Sequence, residues 1–360
     1  MTTLLFIAGL AALVFGSSLL VQGASKLALS LGVSPLVVGL TIVAFGTSAP
    51  EVAVSVGAAL DGRVDIAIGN VVGSNIFNVL FILGVSALIV PLIVHVQLIR
   101  QEVPIMIGAS ILLIVLTLFD GVLSRADGVL LFSLLMAYVV FLVVQARRQT
   151  RAANDEFAAT MPAHGGWNRH WAVQVLLIIA GLALLVLGSN WLVSSAIVFA
   201  KALGISDAVI GLTIVSIGTS LPEVATSIAA AVRGERDIAV GNVVGSNTFN
   251  ILGCLGLASM VAPGGLPVAT SMLNFDMWVM LAAAVACLPV FIRARVISRW
   301  EGGVFLMYYV SYSTFVVMAA KQYPALPHFA LAMLWFVIPL TVLTMLVVLV
   351  HTQRKGRLRP

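Results

Sequence analysis

Glu51 lies in GTSAPEVAVS (residues 46–55) and Glu223 in GTSLPEVATS (residues 218–227), two stretches otherwise apolar enough to cross a membrane. A carboxylate at mid-helix costs at least about 2.5 kcal/mol to insert, so an acid kept there marks function by default. Oxygen donors surround both. Thr47 and Ser48 precede the first glutamate, and Thr219 and Ser220 the second. Downstream, GNVVGSNIFN places Ser74 and Asn78 at i and i+4 on one helix face, a spacing that Ser246 and Asn250 repeat. Gly46 loosens the backbone, and Pro50 removes an amide and disfavours helix at Ala49. The carbonyls of Ala44 and its repeat partner Ser216 are therefore expected to lose helical partners and join the set.

This constellation contains only oxygen: two carboxylates, two amides, six hydroxyls and some carbonyls. Such donors suit hard cations, six to eight oxygens for Ca²⁺ or a tighter octahedron for Mg²⁺. No His or Cys stands among these positions, which argues against a zinc-type site. Asn75 and Asn247 point about 100° away from the Ser74/Asn78 face and read as helix-to-helix bonds. Gly69, Gly73, Gly241 and Gly245 read as packing positions, where absent side chains let helices approach. Asp65 and Asp237 open spans and read as N-caps. Cys254 and Cys287 lie in apolar runs and read as small buried hydrophobes.

The elements that must position these groups follow from composition. Of 360 residues, 61% are hydrophobic and 9% charged, against about 25% charged in a soluble domain. Mean hydropathy is +1.13. Apolar runs near the roughly 20 residues needed to span hydrocarbon recur along the chain. Spans are expected near 3–22, 34–60, 65–92, 103–119 and 126–146. They resume near 171–193, 205–232, 237–262, 275–292, 301–320 and 329–350. Gly, Pro, Ser and Asn in the second, third, seventh and eighth suggest broken helices. With the N-terminus outside, 15 Lys and Arg fall in inside segments and 4 in outside segments. That bias sets the N-terminus outside and the C-terminus in the cytoplasm of a multi-pass cell-membrane protein. The basic pI near 9.6 reflects this orientation, not nucleic-acid binding.

Residues 31–84 align without a gap to 203–256 at an offset of 172, with 35 of 54 positions identical. Five spans separate the copies, and an odd number reverses direction across the bilayer. The expected fold is an all-α polytopic membrane protein of two inverted-topology five-helix repeats plus one extra C-terminal helix. Its parts are a first repeat half (1–146), a cytoplasmic linker (147–170), a second half (171–320), and the extra helix with a basic tail (321–360).

The paired GTSxPE and GNxxGSNxxN segments resemble the alpha repeats of the cation/calcium exchanger superfamily, most closely its prokaryotic sodium/calcium exchangers. The resemblance implies antiport of Na⁺ against Ca²⁺ by alternating access, with the lipid bilayer as setting and no cofactor. A monomer would suffice for transport, and the oligomeric state is left open. Carried over by position, the ion ligands would be Thr47, Ser48, Glu51, Ser74 and Asn78 with Thr219, Ser220, Glu223, Ser246 and Asn250. The Ala44 and Ser216 carbonyls would serve Na⁺. Some members carry Asp at one position matching Asn78 or Asn250. Asn at both leaves two carboxylates and argues against potassium dependence. GNVVGSN also departs from the GNxxE-type signature of the proton-coupled branch.

Three rivals make different predictions. Cation/proton antiport would use the same glutamates. An intramembrane hydrolase would need an acid and a base in unlike environments, whereas these two glutamates have near-identical neighbours, so no enzyme is expected. A membrane scaffold would tolerate loss of either acid.

Overall fold

The computed structural model describes residues 2–31, 33–157, 171–202 and 216–341. Its helices, in chain order, begin with α1 (Thr2–Leu31), α2 (Pro35–Thr47), α3 (Ala49–Leu60), α4 (Val64–Ile89), α5 (Leu98–Leu118), α6 (Arg125–Phe157) and α7 (Trp171–Ala202). The second half gives α8 (Ser216–Thr219), α9 (Leu221–Val232), α10 (Arg236–Val261), α11 (Met272–Arg293), α12 (Arg299–Ala320) and α13 (Leu326–Thr341).

Eight of these are long and apolar enough to cross a membrane, and the bent pair α2–α3 makes a ninth. Two shorter apolar helices, α9 and α13, stand where the seventh and eleventh spans are expected. Residues 205–215 of the seventh and 342–350 of the eleventh lie outside the described residues, as do 158–170 of the linker and the tail beyond 341. Helix α6 runs on to Phe157, so the first part of the expected linker prolongs the fifth span.

The four spans expected to break behave in two ways. The second span bends by 44° between α2 and α3, and α8 is separated from α9 at Ser220. The third and eighth spans are not broken. Each stays helical and widens into a π-helical turn that begins at the motif asparagine, Asn78–Ile82 and Asn250–Leu255. A π turn shifts side-chain direction without freeing a run of backbone groups, which suits a functional position inside hydrocarbon. Asp65 and Asp237 are not caps. Arg63 and Glu235 occupy those positions, and the aspartates fall in the first turn, where a negative charge meets the positive end of the helix dipole.

Helices α4 and α10 form the centre. The apolar stretch of α10 is buried throughout and that of α4 over 72%, against 6% for α12. Around them α1 and α7 cross backbone to backbone. A Cβ on Gly9 would meet the Gly188 carbonyl at 2.8 Å, one on Gly16 the Gly181 carbonyl at 2.9 Å, and one on Gly23 the Gln174 carbonyl at 2.9 Å. Gly245 likewise sits 2.8 Å from the Leu40 carbonyl by the same measure, seating α10 against α2.

Two short ribbons, too brief to read in the sequence, staple the halves together. Strand β1 (Leu92–Ile93) pairs antiparallel with β4 (Val296–Ile297), and β2 (Val122–Leu123) with β3 (Leu266–Pro267). Both strands of the first half map onto the second at an offset of 174. The same offset relates two acid–tyrosine pairs. Tyr138 donates to Glu102 Oε2 at 2.6 Å, and Tyr312 to Asp276 Oδ1 at 2.8 Å. The repeat therefore extends through all five spans of each half, with two residues gained between the motif helix and the ribbon.

Candidate functional site

The bends bring both glutamates into the middle of the bundle. Glu51 opens α3 and Glu223 opens α9, and both are fully buried. Each is approached by the serine that precedes the other. Ser220 Oγ donates to Glu51 Oε1 at 3.0 Å, and Ser48 Oγ donates to Glu223 Oε1 at 3.0 Å. Ser220 Oγ also lies 3.0 Å from Ser74 Oγ. A hydroxyl has one hydrogen, so Ser74 must be the donor in that second contact.

The remaining oxygens are unmatched. Glu51 Oε2, Glu223 Oε2, Asn78 Oδ1 and Ser246 Oγ are buried with no hydrogen-bond partner among the described residues. A buried carboxylate costs several kcal/mol unless compensated, and unpaired buried acceptors call for an explanation such as an ion. Among the described residues no three His, Cys, Asp or Glu side chains gather, so charge here comes from the two glutamates.

Asn75 and Asn247 bond across the helices, as their direction predicts. Each donates to the other's backbone carbonyl at 3.1 Å. Their Oδ1 atoms accept from Asn250 Nδ2 at 3.1 Å and Asn78 Nδ2 at 3.0 Å. With its NH₂ occupied, Asn78 turns its oxygen the other way. Asn250 Oδ1 accepts a weak bond from Cys254 Sγ at 3.5 Å. Cys254 and Cys287 are both buried and free, as small apolar residues would be.

The expected loss at Ala44 does not occur. Its carbonyl keeps the amide of Ser48 at 3.1 Å and takes the Thr47 hydroxyl at 3.4 Å. The amide missing at Pro50 is four residues on from Gly46, so helix geometry strips Gly46 and not Ala44. In the second repeat the matching carbonyl of Gly218 is capped by Ser189 Oγ at 2.5 Å. Ser216 opens α8, and its carbonyl is one residue earlier than the acceptor of the Ser220 amide, Ile217.

Two residues of the site escaped the sequence reading. Asn70 and Asn242, the first asparagines of the GNVVGSN segments, are buried beside the glutamate helices. Asn70 Nδ2 donates to Ser55 Oγ at 3.1 Å and to the Glu51 carbonyl at 3.4 Å. Asn242 Nδ2 donates to Ser227 Oγ at 3.0 Å and to the Glu223 carbonyl at 3.5 Å. Their oxygens receive hydroxyls from the opposite repeat, Thr219 to Asn70 and Thr47 to Asn242, both at 3.1 Å. Their occurrence at the same offset in both repeats was the available signal.

Nearly every contact thus has a partner with the repeats exchanged, as an in-plane pseudo-two-fold requires. Comparison with known proteins gives this geometry its family. The model for "Sodium/calcium exchanger protein" matches residues 1–144 and 173–318. The chain belongs to the sodium/calcium exchanger family. It is 42% identical over 318 residues to the putative antiporter CaxA of Alkalimonas amylolytica, covering 86% of this chain and 97% of that protein. To the sodium/calcium exchanger MaX1 of Methanosarcina acetivorans it is 37% identical over 344 residues, covering 86% and 96%. A structure of the sodium-calcium exchanger NCX_Mj, soaked with Na⁺ and Ca²⁺, matches with a TM-score of 0.73 and 34% identity over 86% of this chain and 96% of that one. As a family member the chain is a multi-pass transporter of the cation-exchange class.

Proposed function

We propose that this protein exchanges Na⁺ for Ca²⁺ across the membrane by alternating access, with Glu51 and Glu223 as the central cation site. One observation carries the reading. Two fully buried carboxylates each have one oxygen held by a serine of the opposite repeat and the other without a partner. A Ca²⁺ ion would neutralise the pair and use the free Oε2 atoms, with Asn78 Oδ1 and Ser246 Oγ completing part of a six-to-eight oxygen shell. Thr47, Ser48, Ser74, Thr219, Ser220 and Asn250 line the same region and would serve Na⁺ ions that together replace one Ca²⁺. Without ions, two like charges share a low-dielectric space, so the empty carrier resists closing. That resistance enforces exchange over leak.

Each repeat supplies half the site from its own side, so rocking one part against the rest exposes it alternately. The two halves already differ at their turns. Glu235 Oε1 accepts from Ser25 Oγ of α1 at 2.6 Å, and Arg233 reaches Ser18 of the same helix. The equivalent residues of the first repeat, Asp61 and Arg63, pair with each other at 2.9 Å in the open. The turn after α9 therefore clasps α1, while the turn after α3 clasps nothing by these side chains.

Ca²⁺ binding to the purified protein, followed by thermal shift with rising NaCl against choline chloride, tests the reading. Stabilisation by Ca²⁺ that Na⁺ displaces is expected. Ca²⁺ binding indifferent to Na⁺ but displaced by acid would favour cation/proton antiport through the same glutamates.

A further inference from the structure

We propose that Asn70 and Asn242 are positioning residues, each holding the hydrogen of a threonine hydroxyl so that the hydroxyl oxygen is left to face a cation on the neighbouring glutamate. The inference rests on the cation site proposed above and assigns work to two residues that supply none of its ligands. The Thr219 hydroxyl donates to Asn70 Oδ1 and the Thr47 hydroxyl to Asn242 Oδ1, both at 3.1 Å. Each hydroxyl has one hydrogen, and a bond that holds it on the amide oxygen leaves the hydroxyl lone pairs unused. Each threonine immediately precedes the serine that holds the glutamate of the opposite repeat. A cation on that carboxylate repels the hydrogen and needs the hydroxyl lone pairs. The hydrogen must therefore be held elsewhere.

The asparagines are built to receive it. Their NH₂ groups are held by a serine hydroxyl and by the carbonyl of the glutamate itself. A flipped amide would set two carbonyl oxygens against each other, so Oδ1 is obliged to face the threonine. The bonds at both ends cross between repeats, Asn70 to Thr219 and Asn242 to Thr47, and both asparagines are buried. For Thr47 the carbonyls of Val43, 3.0 Å away, and Ala44, 3.4 Å away, are competing acceptors. Removing Asn242 should therefore weaken cation binding and not abolish it.

A double-mutant cycle on the full-length protein tests this. Asn70→Leu, Thr219→Val and the double variant are titrated with CaCl₂ and with NaCl by thermal shift, and flux is measured in proteoliposomes. Each single variant should raise the half-saturating cation concentration about fivefold to tenfold, the worth of one hydrogen bond. The double variant should be no worse than Thr219→Val, because the acceptor acts only through the hydroxyl. The cation-free melting temperature of Asn70→Leu should change far less than its titration midpoint. Effects that multiply, or a loss of cation-free stability with unchanged midpoints, would overturn the proposal. Should Asn70→Leu fail to fold, Asn242→Leu with Thr47→Val gives the symmetry-related cycle. Failure of both to fold would make the asparagines structural and also overturn it. A wild-type protein that binds no Ca²⁺ would refute the cation site itself, whereas multiplicative effects in a protein that does bind it refute only this inference.

Discussion

Glu51→Gln isolates charge from shape. The glutamine oxygen can still accept from Ser220, as Glu51 Oε1 does at 3.0 Å, so the packing of α3 is kept. What changes is the other atom, an unpartnered buried oxygen that becomes an NH₂ donor. One of two formal charges is lost, and a donor now faces the ion. Removing one partner of a buried ionic interaction costs about 3–5 kcal/mol, or roughly 150-fold to 5,000-fold in affinity. At Ca²⁺ a hundred times the wild-type Kd, binding stabilises the native protein by about 2.7 kcal/mol, and the variant should lose nearly all of that. The assay is the melting temperature of wild type, Glu51→Gln and Glu223→Gln with EGTA and with Ca²⁺, beside exchange in proteoliposomes. The reciprocal serine contacts make the two glutamates equivalent, so both variants should lose the Ca²⁺ shift and the flux while melting no lower than wild type in EGTA. A normal Ca²⁺ shift and flux in either variant would refute the two-carboxylate reasoning.

Other perturbations separate the ligands. Ser246→Ala should weaken Na⁺ dependence more than Ca²⁺ binding, read as half-saturation in flux. Ser74→Ala should do the same and cost more stability, because Ser74 also satisfies Ser220. Asn78→Asp places a third carboxylate at the site and removes the donor to Asn247. Its transport should acquire an altered ion ratio or pH dependence, measured as reversal potential in vesicles. Gly181→Ala sets a methyl group 2.6 Å from the Leu20 amide, so α1 and α7 must separate. A loss of about 1–3 kcal/mol is expected as a lower melting temperature.

Much of this is legible in the amino-acid sequence. The gapless repeat, the two intramembrane acids and the odd number of spans between copies lead to an inverted bundle with glutamates at its centre. Those signals are strong because charge in hydrocarbon and 35 identities in 54 positions are both hard to produce by accident. The direction of Asn75 and Asn247 was also readable, since helix periodicity alone turns them from the Ser74/Asn78 face. Contacts between repeats were not. The serine-to-glutamate exchange and the asparagine-to-threonine braces depend on how two bent spans meet, which no local pattern encodes. Ala44 departs from its expectation because Pro50 removes an amide from one carbonyl, that of Gly46, and leaves the Ser48 amide on Ala44. The pairing of Glu102 with Tyr138 and Asp276 with Tyr312 had a signal in the matching separation of 36 residues, hidden by the shift of the offset from 172 to 174.

The most direct test of the central claim is ⁴⁵Ca²⁺ uptake into proteoliposomes loaded with Na⁺ and diluted into Na⁺-free buffer, with pH-gradient vesicles alongside. Uptake driven by the outward Na⁺ gradient, abolished by Glu51→Gln and by Glu223→Gln, is the predicted result. Uptake driven by the pH gradient alone, with none from the Na⁺ gradient, would contradict it.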